Sequence, residues 1–223
     1  MSNTILIIGE SGVGKSTSLK NLDPKSTFII NVLGKPLPFL GARKNYVNCD
    51  KDNPTGNQLS TDNTGLIKSL ISAINNKRPE IKTLIIDDFN YIMTNEFMRQ
   101  ALTKGYDKFS LIAQNAWSII NELNQTRDDL DCFVISHSET DSSGKSKPKT
   151  IGKMIDEKVC LEGMVTTCLH ALIIDGYHKF LTQNDGCHMA KSPFGMFKDT
   201  LIDNDLSLVK EKMKEYLNQD INQ

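Results

Sequence analysis

One stretch near the start of the chain constrains its fold more than any other: Ile5-Leu6-Ile7-Ile8-Gly9-Glu10-Ser11-Gly12-Val13-Gly14-Lys15-Ser16-Thr17. Four aliphatic residues in a row predict a strand buried on both faces, as in a parallel sheet. Gly9, Gly12 and Gly14 then allow positive φ and a close approach of backbone to an anion, with no Cβ in the way. Leu19 and Leu22 follow at helical spacing, so Lys15-Ser16-Thr17 predicts the first turn of a helix. From Gly9 to Ser16 the pattern is G-x-x-x-x-G-K-S, the spacing of a P-loop. An ordinary glycine turn could use the same residues, but the aliphatic run before it and the helical pattern after it supply the context a P-loop needs. The expected nucleotide-binding set is Gly9, Glu10, Ser11, Gly12, Val13, Gly14, Lys15, Ser16 and Thr17. Successive N–H groups form an anion nest, Lys15 reaches the β- and γ-phosphates, and the Ser16 hydroxyl joins the shell of Mg2+. Thr17 is expected on the base or ribose side. The expected ligands are therefore ATP and Mg2+.

Composition sets few further limits. A chain of 223 residues, 39% hydrophobic, can bury the core of one domain. A net charge of −1 argues neither for nor against nucleic acid, because only the local distribution of charge forms a binding face. Cys49, Cys132, Cys160, Cys168 and Cys187 are odd in number and lack C-x-x-C spacing, which suits a reducing compartment and no zinc framework. Cys187-His188 with His178 is a faint metal hint, outweighed by ordinary packing. The opening residues lead straight into the first strand, with no signal-peptide pattern, and no apolar run has membrane-spanning length. The expectation is a soluble cytoplasmic protein with no membrane partner.

Along the chain, Leu22-Asp23-Pro24 closes the first helix and Thr27–Val32 predicts a second strand. Residues 34–65 are rich in Gly, Pro, Asn and Asp and predict an irregular excursion, with only Tyr46–Cys49 strand-like. Leu66, Ile67, Leu70, Ile71 and Ile74 mark an amphipathic helix, with Thr64 a candidate N-cap and Pro79 its end. Lys82–Asp88 is an aliphatic strand running into two carboxylates. Helices are expected over 90–103 and 109–126, the second with a stripe that includes Leu111 and, as core packing, Trp117. Cys132–Ser136 predicts a fourth strand with His137 at its carboxyl end. Ser138–Lys153, almost without apolar residues, reads as a mobile loop. Cys168–Ile174, an Asp175-Gly176 turn and Tyr177–Thr182 predict a hairpin. A last helix, about 205–218, carries Leu206, Val209, Met213 and Leu217. Alternating strands and helices followed by a hairpin predict a mostly parallel sheet, covered by helices on both faces, with antiparallel strands at one edge.

A strand ending in an acid suits Asp87 to hold magnesium beside Ser16. Asp88 is the nearest carboxylate able to orient an attacking water, although a capping or solvated acid at a strand end would look the same. His137, closing the next strand, could touch the γ-phosphate or the water, or could simply be a hydrogen-bonded histidine. Lys15, Asp88 and His137 form the expected catalytic group. Lys145, Lys147, Lys149 and Lys153 follow His137 in the polar loop and could meet phosphates of a nucleic acid, or could merely keep it soluble, with Glu139, Asp141 and Asp156 diluting their charge.

The order of P-loop, Ile85-Ile86-Asp87-Asp88 strand, long helix, Phe133-Val134-Ile135-Ser136-His137 strand, polar loop, Leu161-Glu162-Gly163 and terminal hairpin resembles the RecA-like ATPase core. It is most similar to short phage P-loop proteins of the Sak type, single-strand annealing ATPases of recombination modules. Phe28–Phe39, with Val32-Leu33-Gly34-Lys35-Pro36, and Met189–Phe194 also resemble that group, and the likeness spans nearly all of residues 3–200. It implies a single RecA-like domain over 1–223, ATP hydrolysis, single-stranded DNA as partner and assembly into a homo-oligomer. By the same resemblance His137 is a polar sensor, Ser138–Lys153 the second DNA-binding loop and Thr103–Lys108 the first. Lys179 and Lys191 are then cations that complete a neighbour's ATP site. One departure stands out: where such proteins carry a catalytic glutamate after the second strand, this chain has Asn31-Val32-Leu33-Gly34. Water activation must fall to another group, such as Asp88, or hydrolysis must be slow. A small-molecule or nucleotide kinase, a GTPase and a nucleotide-switched binding module without catalysis are the competing functions. Four scattered arginines make no arginine-rich lid for a kinase, and Thr182-Gln183-Asn184-Asp185 is a poor base-recognition motif for a GTPase.

Overall fold

In the computed structural model, which describes residues 3–151 and 159–221, the aliphatic runs become the middle of one sheet. The described strands are β1 (Asn3–Gly9), β2 (Thr27–Asn31), β3 (Gln58–Ser60), β4 (Thr83–Asp87), β5 (Asp131–Thr140), β6 (Ser146–Pro148), β7 (Thr167–Ile174), β8 (Tyr177–Leu181) and β9 (Leu201–Asp203). Their order is β3-β2-β4-β5-β1-β7-β8-β9, with β6 paired to β5 off this path. Pairing is parallel from β3 through β7 and antiparallel across β8 and β9. The structure is thus a mixed α/β fold with a mostly parallel sheet and antiparallel strands at one edge.

Alternation along each strand sorts side chains to two faces. Leu6, Ile8, Ile30, Ile86 and Val134 meet α2 (Thr64–Lys77), α3 (Asn90–Arg99) and α4 (Asp107–Leu123) on one face. Ile5, Ile7, Ile29, Ile85 and Phe133 meet Leu19, Leu22, Tyr46 after the short α1 (Ala42–Asn45), and Leu206, Val209 and Met213 of α5 (Leu206–Ile221) on the other. Two-sided burial explains why β2 and β4 are apolar throughout except at Thr27, Asn31, Thr83 and Asp87, their ends. No helix among the described residues is long and apolar enough to cross a membrane.

The topology also picks out one edge of the sheet. The chain leaving β1 crosses to β2 beyond β5 and β4, whereas the chain leaving β5 passes β1 to reach β7 on the opposite side. Adjacent parallel strands whose connections diverge leave a crevice at their carboxyl ends, where ligands of open α/β sheets collect. Gly9 and His137, paired in register, stand at that crevice.

Several expectations need correction. The segment after the glycine loop is a 3-10 helix, Ser16–Asn21, and no longer α-helix forms. Ser and Thr at its start favour local side-chain bonds, and the Ser18 hydroxyl does donate to the Lys15 carbonyl at 2.5 Å. The 34–65 excursion contains α1 and the three-residue strand β3, too short to show a period. Asn63, one residue before Thr64, caps α2 by accepting the Leu66 N–H at 2.9 Å. Leu111 and Trp117 lie outside the buried stripe of α4, and Trp117 is 46% exposed. Trp117 stands about 100° further round the helix than Ala116, beyond the face that reaches the sheet. Leu217, on the last helix, is 36% exposed beside a cavity that Thr4 and Ile5 also line.

The largest correction concerns Ser138–Lys153. Within its described part, β5 runs on to Thr140 and returns as β6, making an antiparallel hairpin with Glu139 opposite Lys147. Asp141 closes the turn: its Oδ1 accepts the N–H of Ser143 at 2.8 Å, the hydroxyl of Ser143 at 2.7 Å and the N–H of Lys145 at 3.0 Å. Ser146 and Pro148 are buried on β6, but a hairpin built of polar residues leaves no hydrophobic alternation in the sequence, so its period was invisible.

Candidate functional site

The glycine-rich loop emerges from β1 against its neighbours. A Cβ on Gly9 would lie 2.5 Å from the Ala171 carbonyl oxygen, so only glycine lets β1 turn away beside β7. Gly14 has φ +91°, and a Cβ there would lie 2.9 Å from Nδ1 of His178. That imidazole, on β8, donates to the Val13 carbonyl at 3.0 Å, and since a carbonyl only accepts, Nδ1 carries the proton. His178 therefore braces the loop from the antiparallel edge, a role the sequence reading missed. Glu10, Ser11 and Gly12 are exposed, Val13, Ser16 and Thr17 partly buried. Gly14, Thr17, Lys20, His178 and Asn204 line an adjoining cavity of about 320 Å³.

Lys15 and Ser16 tie the loop to the rest of the crevice. Lys15 is 7% exposed, and its Nζ donates to the carbonyls of Gly9 at 2.9 Å and Glu10 at 2.6 Å. Burial lowers its pKa to about 8, although Asp88 and Asp87 pull the other way. The Ser16 hydroxyl donates to Oδ1 of Asp87 at 3.0 Å, across 71 residues of sequence. Asp87 is 4% exposed, and its Oδ1 also accepts the Asp88 N–H at 3.1 Å. Burial, then the neighbouring Asp88 charge, raises the Asp87 pKa to about 6.

Asp88 has φ +63°, an uncommon conformation for a residue with a side chain. Its Oδ2 lies 2.8 Å from Nζ of Lys35, and its Oδ1 lies 3.5 Å from Nε2 of His137. Burial alone would raise its pKa, but His137 and Lys35 outweigh burial and hold the carboxyl below its usual range. His137 is fixed by its own N–H, donated to Oδ1 of Asn90 at 3.1 Å, and by edge-on contact with the Tyr91 ring. Lys15, Ser16, Asp87, Asp88 and His137 are thus brought to one crevice by three different strand ends. Lys35 joins them from the segment after β2 and was missed. Its only sequence signal was its place at a strand's carboxyl end, between Gly34 and Pro36.

The remaining candidates are scattered. Lys145 and Lys149 are exposed on the β5–β6 hairpin, whereas Lys147 lies 3.4 Å from Glu139. The Lys149 N–H donates to the His137 carbonyl at 2.8 Å, so the hairpin hangs directly from the strand that carries His137. Lys153 lies outside the described residues. In the Thr103–Lys108 stretch, Lys108 folds back on the carbonyls of Gln100 and Thr103, at 3.3 and 2.8 Å. Lys179 pairs with Asp203 of the same chain at 2.6 Å, and Lys191 exchanges backbone hydrogen bonds with Cys168. His188 bonds Asp185 at 2.7 Å. No group of three His, Cys, Asp or Glu side chains among the described residues could hold a metal ion by itself.

Chemically, the crevice offers backbone N–H groups of a glycine-rich loop, a buried ammonium, and a hydroxyl touching a carboxylate, a donor set for an anion and a hard cation side by side. Neither protein-family models nor curated protein sequences match this chain.

Proposed function

We propose that the chain is a Mg-ATP-dependent ATPase of the RecA-like kind, acting on single-stranded DNA in phage recombination or annealing. The observation that carries the nucleotide half is the Ser16–Asp87 hydrogen bond of 3.0 Å beside Lys15. A serine and an acid far apart in sequence share one proton where a P-loop needs two oxygen ligands for magnesium. In this role the N–H groups of residues 10–16 and Lys15 hold the phosphates, Ser16 and Asp87 hold Mg2+, and Thr17 lines the nucleoside side. Lys15 would exchange its two carbonyl partners for phosphate oxygens, which a flexible ammonium can do without moving the backbone. The bound magnesium would neutralise charge on the phosphates.

Asp88 and His137 supply the remaining chemistry. In hydrolysis a water oxygen forms a bond to the γ-phosphorus while the bond to the β–γ bridging oxygen breaks, giving ADP and inorganic phosphate. Asp88 accepts the proton of that water, and His137, 3.5 Å away, positions Asp88 and responds to its change of charge. The RecA-like assignment over a kinase is supported by β5 standing between β1 and β4, which sets His137 between the loop and the two acids. Arg78, Arg99 and Arg127 also pair with Glu80, Asp62 and Asp129, and so form no lid.

The DNA half is supported by the hairpin that bears Lys145, Lys147 and Lys149 and bonds the His137 carbonyl, a short path from the phosphate site to a basic surface. Homo-oligomer formation is supported by the full exposure of Leu40 and Phe194. The test is ATP hydrolysis measured with and without Mg2+ and with and without single-stranded DNA. Turnover that needs Mg2+ and rises with DNA is expected. Phosphate transfer to a small acceptor without DNA stimulation would favour the kinase instead.

A further inference from the structure

Resting on that reading, we infer that Lys35 is a γ-phosphate-binding cation supplied by the same chain, held by Asp88 until a nucleoside triphosphate takes its place. The segment after β2 is built to present this residue. Asn31, 2% exposed at the end of β2, donates its side-chain amide to the Lys35 carbonyl at 2.6 Å. Gly34, at φ +65°, turns the chain back over the strand end, and its N–H bonds the Asn31 carbonyl at 3.3 Å. The Lys35 ammonium then lies 2.8 Å from Asp88 and 5.8 Å above the Tyr91 ring, while its side chain stays 59% exposed. An anchored backbone with an exposed, reachable head is what a group that changes partners requires.

Charge explains the exchange. Lys15, Lys35, Asp87 and Asp88 sum to zero, and the charges of Lys15 and Lys35 act on one another across the crevice. A triphosphate with one Mg2+ brings about two negative charges, and its terminal group enters beside Asp88. Without Lys35 that carboxylate would face the γ-phosphate directly. With Lys35 between them, the cation screens the repulsion, and Asp88 is released from its ion pair as the water's proton acceptor. ADP has no γ-phosphate and leaves the Lys35–Asp88 pair in place.

The experiment is calorimetric titration of Mg-ATP and Mg-ADP into the wild-type protein, Lys35→Met and Lys35→Arg, with thermal melts to establish folding. Methionine keeps the apolar stem against Tyr91, and arginine keeps the charge. Lys35→Met is expected to weaken ATP about ten- to hundredfold, the worth of a charged hydrogen bond, and ADP by no more than about twofold. Lys35→Arg should restore most of the preference for ATP. Folded Lys35→Met that keeps the wild-type ATP-to-ADP ratio would overturn the inference while leaving the proposed function intact. Should Lys35→Met fail to fold, an unchanged ratio in Lys35→Gln would overturn it equally. Wild-type protein that binds neither nucleotide would overturn the proposed function itself.

Discussion

The glycine loop and the β5–β6 hairpin both hang from the carboxyl ends of neighbouring central strands, yet they are held differently. The loop is fixed by partners distant in sequence: Asp87 for Ser16, His178 for Val13, Ala171 against Gly9. The tip of the hairpin is fixed by Asp141 through bonds to Ser143 and Lys145, all within four residues, while Ser146 on its returning strand is tied to Cys187, His170 and Met189. A device clamped from a distance holds its geometry as long as the sheet is intact. Only the tip of the hairpin, closed by local bonds, can open at a cost far below global unfolding. The loop is therefore clamped along its length, whereas the hairpin is clamped at its base and closed locally at its tip.

Removing the centre of the loop should give the largest effect. Lys15→Ala is expected to lower ATP affinity by at least about a hundredfold, because it deletes the charge on the phosphates. The fold should remain, since Lys15 belongs to neither hydrophobic cluster and its charge is buried at a cost. Equilibrium binding with a thermal melt checks both, and affinity within a few-fold of wild type would return the loop to a plain glycine turn.

The two acids should part company. Asp87→Asn weakens the magnesium position and should reduce both Mg2+-dependent binding and turnover. Asp88→Asn should cut turnover by about a hundredfold with binding little changed, the usual scale of a lost proton acceptor. Steady-state kinetics beside direct binding distinguish them, and normal turnover in Asp88→Asn would make that residue only the strained end of β4.

The pH dependence follows from Lys15. Its folded pKa is lowered to about 8 from 10.5, so between those values the unfolded chain binds more protons and stability contributed by this group rises with pH. Phosphate binding has the opposite sign, because it requires the protonated amine. ATP affinity should therefore fall as pH climbs above about 8, approaching tenfold per unit, whereas Lys15→Ala should show no such slope. Binding isotherms from pH 7 to 10 would reveal a flat profile if Lys15 does not meet the ligand.

The smallest effects should come from the hairpin. Replacing Lys145, Lys147 and Lys149 with alanine should leave ATP affinity untouched and reduce the salt slope of single-stranded DNA binding by about two to three. Lys147 is expected to contribute least, since Glu139 already holds it. Wild-type DNA affinity and slope in the triple variant would place the DNA surface elsewhere.

Much of the centre was legible because its residues are chemically specialised. Gly9-to-Ser16 spacing and an aliphatic strand ending in Asp87 identify themselves, and His137 follows from its place after an apolar run. The hairpin, β3 and the outward turn of Trp117 were not legible. Polar strands lack a period, a three-residue edge strand has no pattern, and a tryptophan's depth depends on which arc of its helix the sheet reaches.

By itself the sequence determined the alternation of buried strands and amphipathic helices, the parallel sheet with an antiparallel edge, and the glycine loop after the first strand. These depend on local pattern and on the need to bury apolar runs from water. Only the tertiary structure decided that Ser16 meets Asp87, that His178 bonds Val13, and that Lys35 stands over Asp88. Such contacts join residues far apart in sequence, and no local propensity encodes which strand ends will be neighbours. That is settled by the order in which the whole chain fills the sheet.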